Sequence, residues 1–197
     1  MPLTGQDIFN EAIGVVPLIH TPVSEDQHLL VVGAGAIASA VVGLRYPTFT
    51  QVGIVAAANE VPVQLRQDKR VNLFPRLEDV PTAYRADLIT VAIPSLTDDT
   101  LVKLKLHSTP QSIVCIAVPN ATAARAMKDG ARRIWSTVAP YREHLPSGGS
   151  AYFLLCSGLG LTKHRVVPAW TRRITDRWVP ALFTWAKDEY ATLFGGG

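Results

Sequence analysis

Short uninterrupted apolar runs recur along the chain, and the stretches between them place apolar residues at helical spacing. Residues 29–32, Leu-Leu-Val-Val, predict a strand covered on both faces, as in a parallel sheet. Further strands are expected over 51–56, 71–74, 87–92 and 112–118, the last strongly β-branched. Helices are expected between them, over 36–44, 60–67, 97–104 and 121–135. Pro62 is tolerated in a first turn, Thr97 or Asp98 can cap the third of these helices, and Asn120 the fourth. A short helix over 7–16, with Ile8, Ala12 and Val15 at helical spacing, precedes an extended connector through Pro17 and Pro22.

The alternation of strands and helices argues for a parallel sheet with helices on both faces. After Trp135 the pattern changes. Residues 137–141 and 150–157 are strand-like and joined through a loop containing Pro146, Gly148 and Gly149, which predicts an antiparallel hairpin. The fold class is therefore α/β: Rossmann-like, of the methyltransferase type, with a mostly parallel sheet ending in an antiparallel hairpin. A C-terminal helical tail follows. Three segments result: 1–26, an N-terminal helix and connector; 27–157, the α/β domain; and 158–197, a Trp-rich tail. In that tail Trp178, Leu182 and Trp185 share one helical face, and Pro180 breaks or kinks the segment.

Composition narrows the classes. Of 197 residues, 48% are hydrophobic and 18% charged, enough for an ordinary core and less charged than usual. The formal net charge is +3, and no basic run exceeds two residues, as in Arg132-Arg133 and Arg172-Arg173. Direct DNA or RNA binding is not expected, because a nucleic-acid footprint needs a denser stripe. Cys115 and Cys156 each lie inside an apolar run, without a CxxC or a disulfide framework, which fits a reducing, intracellular compartment. No apolar run is long enough to span a bilayer, and no secretory signal is visible.

The first strand runs into Gly33-Ala34-Gly35, which with Ala36-Ile37-Ala38 matches a GxGxxA dinucleotide turn. Such a site also needs an acid near the end of the second strand to hold ribose hydroxyls. That strand ends in Ala56-Ala57-Ala58-Asn59, and Glu60 is assigned to the next helix. The glycines therefore fit either a bound nucleotide or close packing of helix on strand. His20, His28, His107, His144 and His164 are scattered, so no metal site is expected. Asp98-Asp99 reads as an acidic helix N-terminus, and Ser95 and Ser157 lack a nucleophile-elbow context.

The order of these segments resembles the spermidine synthase family, aminopropyltransferases with a methyltransferase-like fold. Asp7-Ile8-Phe9-Asn10-Glu11, then Val16-Pro17-Leu18 and His20, is similar to the family's Tyr-His-Glu segment and the His-Pro-Leu stretch after it. Residues 29–35 stand where the family has its glycine-rich motif, and Val52-Gly53-Ile54-Val55 on its second strand. Ala86-Asp87-Leu88-Ile89-Thr90-Val91 resembles its Tyr-Asp-x-Ile-x-x-Asp strand, and Leu145-Pro146-Ser147-Gly148-Gly149-Ser150 its Pro-Ser-Gly segment. A faint similarity of His164-Arg165 to the family's final His-containing segment ends close to Pro168. The main resemblance covers residues 7 to 157 and rests on order and spacing.

The departures fall on the chemistry. The family's Glu-x-Asp pair reads Ala56 and Ala58, its catalytic Asp reads Ala92, and its Tyr-His reads Phe9-Asn10, leaving only Glu11. Its N-terminal hairpin domain is expected to be largely missing. An alanine neither accepts a proton, a role worth about 10²–10⁴-fold in rate, nor offsets polyamine charge. The resemblance therefore implies a catalytically inactive relative without a cofactor. It is expected to serve as a structural subunit of an intracellular, and by analogy mitochondrial, protein complex. The tail is the expected docking element, through Trp170, Arg173, Trp178 and Trp185, and is also suited to a membrane interface. The alternative is an enzyme that binds an S-adenosyl or dinucleotide ligand at Gly33 and Gly35. Its activity would be aminopropyl transfer, methyl transfer or NAD(P)-dependent oxidoreduction.

Overall fold

A computed structural model describes residues 13–14, 16–18, 20–22, 24–93, 96–144 and 150–161. Seven strands form one sheet: β1 (Gln27–Val32), β2 (Phe49–Val55), β3 (Val71–Phe74), β4 (Ala86–Val91), β5 (Ser108–Val118), β6 (Thr137–His144) and β7 (Ser150–Ser157). Their order is β3-β2-β1-β4-β5-β7-β6. The first five are parallel, whereas β7 runs antiparallel to both β5 and β6. This is the methyltransferase type expected from the sequence. Four helices are described after β1: α1 (Ile37–Gly43), α2 (Val63–Arg66), α3 (Asp98–Leu106) and α4 (Ala121–Arg132).

The strands are apolar without interruption because both faces of the sheet are covered. Alternate residues divide into two cores. Leu29, Val31, Val52, Ile54 and Leu88 pack beneath α1. Leu30, Val32, Ile89, Val91 and Val114 pack beneath α3 and α4, together with Leu101, Leu104 and Trp135. Every residue of α1 is buried, which its small Ala, Ser, Val and Gly side chains permit.

A further layer covers α1. Residues 13–14, 16–18 and 20 are helical, so the helix expected to end before Pro17 runs through it. Proline lacks the N–H that would bond to the carbonyl four residues earlier, which is that of Ile13. The Ser39 hydroxyl of α1 donates to that carbonyl instead, at 2.6 Å. Gly14 makes the approach possible, since a Cβ there would meet Val42 Cγ2 at 2.7 Å. Ile13, Val16 and Leu18 are buried in the α1-side core. The Thr21 hydroxyl donates to the Pro17 carbonyl at 2.7 Å and closes the end of the turn.

Two helix boundaries also depart from expectation. The helix expected from residue 60 begins only at Val63, because Pro62 is extended (φ −55°, ψ 143°) and serves as its cap. The last helix stops at Arg132, three residues short of Trp135, with Asn120 Oδ1 capping it by accepting from Ala123 N at 2.8 Å. Thr97, rather than Asp98, caps α3. Among the described residues no helix is long and apolar enough to cross a membrane.

Candidate functional site at the carboxyl edge of the sheet

In an open parallel sheet, ligands sit beyond the carboxyl ends of the strands, where the strand order reverses. Here that place lies between β1 and β4, which pair up to Val32 and Val91. The chain leaves β2 on one side of this point and β4 on the other. Gly33 N–H donates to the Val55 carbonyl and Ala92 N–H to the Val32 carbonyl, both at 2.9 Å. The three strand ends are thus tied together by backbone bonds alone.

Gly33 has φ 96° and ψ 145°, a region open in practice only to glycine. The Ala92 carbonyl oxygen occupies the place where a Cβ on Gly33 would stand, and Ile93 Cγ2 lies 2.7 Å from it. The need for glycine at 33 is therefore met by the protein's own chain. Gly35 is buried in the single 3-10 turn, Ala34–Ala36, that leads into α1.

The side chains around this point are small and uncharged. After β1 come Gly33, Ala34, Gly35 and Ala36, all but Gly33 buried. After β2 come Ala56, which is buried, then the exposed Ala57, Ala58 and Asn59. After β4 comes Ala92, which is 3% exposed. Glu60, assigned from sequence to a helix, instead ends the 3-10 turn Ala58–Glu60. Its carboxylate accepts from Ala57 N–H at 3.1 Å, so it caps its own turn. An adenosyl or dinucleotide ribose needs a carboxylate at the end of β2. The residues that stand there do not supply one free of other work.

Other candidates disperse. Asp98 and Asp99 occupy the first turn of α3, as expected of acids at a helix N-terminus. His20 bonds through Nδ1 to the Val16 carbonyl (3.0 Å), and His107 through Nδ1 to the Tyr84 carbonyl (2.9 Å). His28 lies at the opposite, amino edge, 3.6 Å from the Asp26 carboxylate. Among the described residues no three His, Cys, Asp or Glu side chains gather in a way that could hold a metal. Burial pushes the Cys156 thiol up to about 12 and the Cys115 thiol well above its ordinary value, so neither is a nucleophile. Ser157 is buried, and its hydroxyl accepts from Leu159 N–H at 3.1 Å. Phe9, Asn10, Glu11, Ser95, His164 and Arg165 lie outside the described residues, as do Trp170, Arg173, Trp178 and Trp185.

Sequence reasoning missed one group. The Tyr84 hydroxyl donates to the Leu29 carbonyl at 3.0 Å, and its ring stands against Phe74 with centroids 6.4 Å apart. Gly53 makes room for it: a Cβ there would lie 3.2 Å from Phe74 Cε2 and 3.4 Å from the Tyr84 oxygen. The signal available was a glycine inside an otherwise apolar strand, which marks a close approach.

No family model and no curated protein matches the chain. Solved structures do. A spermidine synthase in complex with the transition state analogue AdoDATO superposes with a TM-score of 0.61 at 12% identity, covering 89% of this chain and 66% of that one. The spermidine synthase from Thermotoga maritima gives 0.62 at 10% identity, with the same coverages of 89% and 66%. Human methyltransferase-like protein 13 in complex with SAH gives 0.53 at 15% identity, covering 90% of each chain. The chain therefore spans slightly under two thirds of the length of either synthase. Identities this low establish the fold: the Rossmann-like sheet that spermidine synthases share with methyltransferase-like proteins.

Proposed function

We propose that this chain is a non-catalytic, spermidine-synthase-like structural subunit of a larger intracellular protein complex, with mitochondrial complexes among the candidates. The observation that carries the reading is the chemistry at the strand ends. Ala56, Ala58 and Ala92 stand where aminopropyl transfer would require carboxylates, and the one nearby acid, Glu60, caps its own turn. Without a positioned base, an attacking amine keeps its proton. Without carboxylates, a polyamine's charge has no partner.

Incubation of the purified chain with decarboxylated S-adenosylmethionine and putrescine tests this. No aminopropylated product is expected, and turnover above the protein-free rate overturns it. The endogenous protein should also migrate in a native separation at a mass well above the 21.4 kDa of one chain. A free monomer overturns the subunit reading.

A second reading has one observation in its favour. The Gly33 turn is intact, and human methyltransferase-like protein 13, of the same fold, is described in complex with SAH. On this reading the chain binds an adenosyl or dinucleotide ligand and acts through other residues.

A further inference from the structure

The helix α4 and the residue after it carry a local surplus of positive charge. From 121 to 133 the chain carries Arg125, Lys128, Arg132 and Arg133 against a single Asp129, a surplus of three. Arg125, Arg132 and Arg133 are exposed, and Lys128 is half-buried. Among the described residues none of the four enters an ion pair, although Lys103 with Glu78, Arg70 with Asp68 and Arg76 with Asp79 all do.

The arrangement is directional. Arg125, Lys128 and Arg132 fall at i, i+3 and i+7, one row along α4 about 10 Å long. This row runs along the flank of the helix, beside the stripe of Ala124 and Ala131 that faces the core. Arg132 and Arg133 suit the negative end of the helix dipole, but Arg125, in the first half, does not gain from it. The helix dipole therefore does not account for Arg125. The other exposed positions of the helix, apart from Asp129, are Ala121, Thr122 and Ala126, too small to hold a partner backbone away.

We infer that the exposed face of α4 is a docking surface for an acidic segment of a partner protein, whose Asp or Glu side chains pair with Arg125, Lys128 and Arg132. Other anions fit less well. A membrane-surface helix needs large apolar side chains to insert, and the exposed face of α4 offers only two alanines and a threonine beside its charges. A nucleic-acid backbone would meet the Asp129 carboxylate within the same face. A protein partner can place acids on the cations and a hydrogen-bond donor opposite Asp129. The inference rests on the subunit reading but not on the emptiness of the carboxyl edge: a free monomer removes both, whereas an assembly that forms without α4 overturns the inference alone.

Zero-length carboxyl-to-amine coupling in the native assembly, with adducts mapped by mass spectrometry on the full chain, tests it. Lys128 should couple to Asp or Glu residues of one partner protein. The Arg125→Glu/Arg132→Glu variant, which keeps Lys128, should lose that coupling by about tenfold or more. Changing the coupled partner acids to Lys should restore association with this variant. The milder Arg125→Gln/Arg132→Gln variant should fall between the two, and a wild-type melting temperature for it excludes misfolding as the cause. Coupling that survives in the Glu variant, or an assembly that forms without any Lys128 adduct, overturns the inference. So does binding of the purified chain to phosphatidylserine vesicles or duplex DNA at about 150 mM salt that the Arg125→Glu/Arg132→Glu variant loses, because it assigns the helix to lipid or nucleic acid.

Discussion

The Ala92 carbonyl oxygen stands where the side chain of residue 33 would begin, and Gly33 leaves the space for it. One contact thus joins the end of β4 to the turn after β1, at the point where the strand order reverses. In a dinucleotide fold the first glycine of the motif makes the tight turn, and Gly33 does the same here against the protein's own backbone.

Gly33→Ala should therefore be among the more damaging single changes in the sheet. A Cβ would be forced into a carbonyl at φ 96°, a conformation that L residues avoid. The expected loss is about 3 kcal/mol in urea unfolding. For a chain of this size that corresponds to a fall of roughly 6–12 °C in melting temperature. A variant as stable as wild type would remove the structural explanation for this glycine.

Ser39→Ala tests the layer over α1. Ser39 supplies the hydrogen bond that Pro17 cannot, and its removal deletes that bond to the carbonyl of the buried Ile13. The expected cost is about 1–3 kcal/mol. The Ser39→Ala/Pro17→Ala double variant restores an N–H at 17 and should recover part of that loss. No recovery in this double variant would contradict the coupling.

Tyr84 makes stability depend on alkaline pH. Burial pushes its hydroxyl up to about 12 from the ordinary 10.0; a backbone bond from Gly53 opposes this and the Asp87 carboxylate adds to it. Because the folded value is the higher one, the stability it confers is complete below pH 10 and is lost as pH rises towards 12. The loss should be on the order of 2–3 kcal/mol. It should be absent from Tyr84→Phe, whose unfolding free energy should fall less steeply over that window. Parallel curves for the two proteins would contradict the assignment.

Both thiols should be silent in the folded protein. Cys115 and Cys156 are buried with values pushed far above neutral. A disulfide-exchange reagent at about pH 8 should label neither within minutes and should label both in denaturant. Rapid labelling of the native chain would contradict the packing of both strands.

Much of this was legible in the sequence, and the failures have physical causes. The unbroken apolar runs located the strands because both faces of the sheet are covered. Val71–Phe74 and Ser150–Ser157 agree with expectation residue for residue. The start of β5 was missed, because Ser108, Thr109, Pro110 and Gln111 are half-buried or exposed and carry no apolar signal. The helix through Pro17 was missed because its missing hydrogen bond is supplied by Ser39, 26 residues away from Ile13. Glu60 was assigned to a helix because its local sequence cannot show that its carboxylate turns back to Ala57. At the candidate site, the absence of acids at 56, 58 and 92 could be read directly. That Ala92 itself fills the glycine turn could not, since it depends on two strands meeting.

The proposed function implies that the carboxyl edge of this sheet does not hold an adenosyl or nucleotide ligand. Isothermal titration of the purified full chain with S-adenosylmethionine, its decarboxylated form, S-adenosylhomocysteine, NAD and NADP measures this directly. The account expects heats indistinguishable from dilution for all five. A saturable isotherm with any of them, abolished by Ala56→Arg, would contradict it and return the Gly33 turn to a binding role.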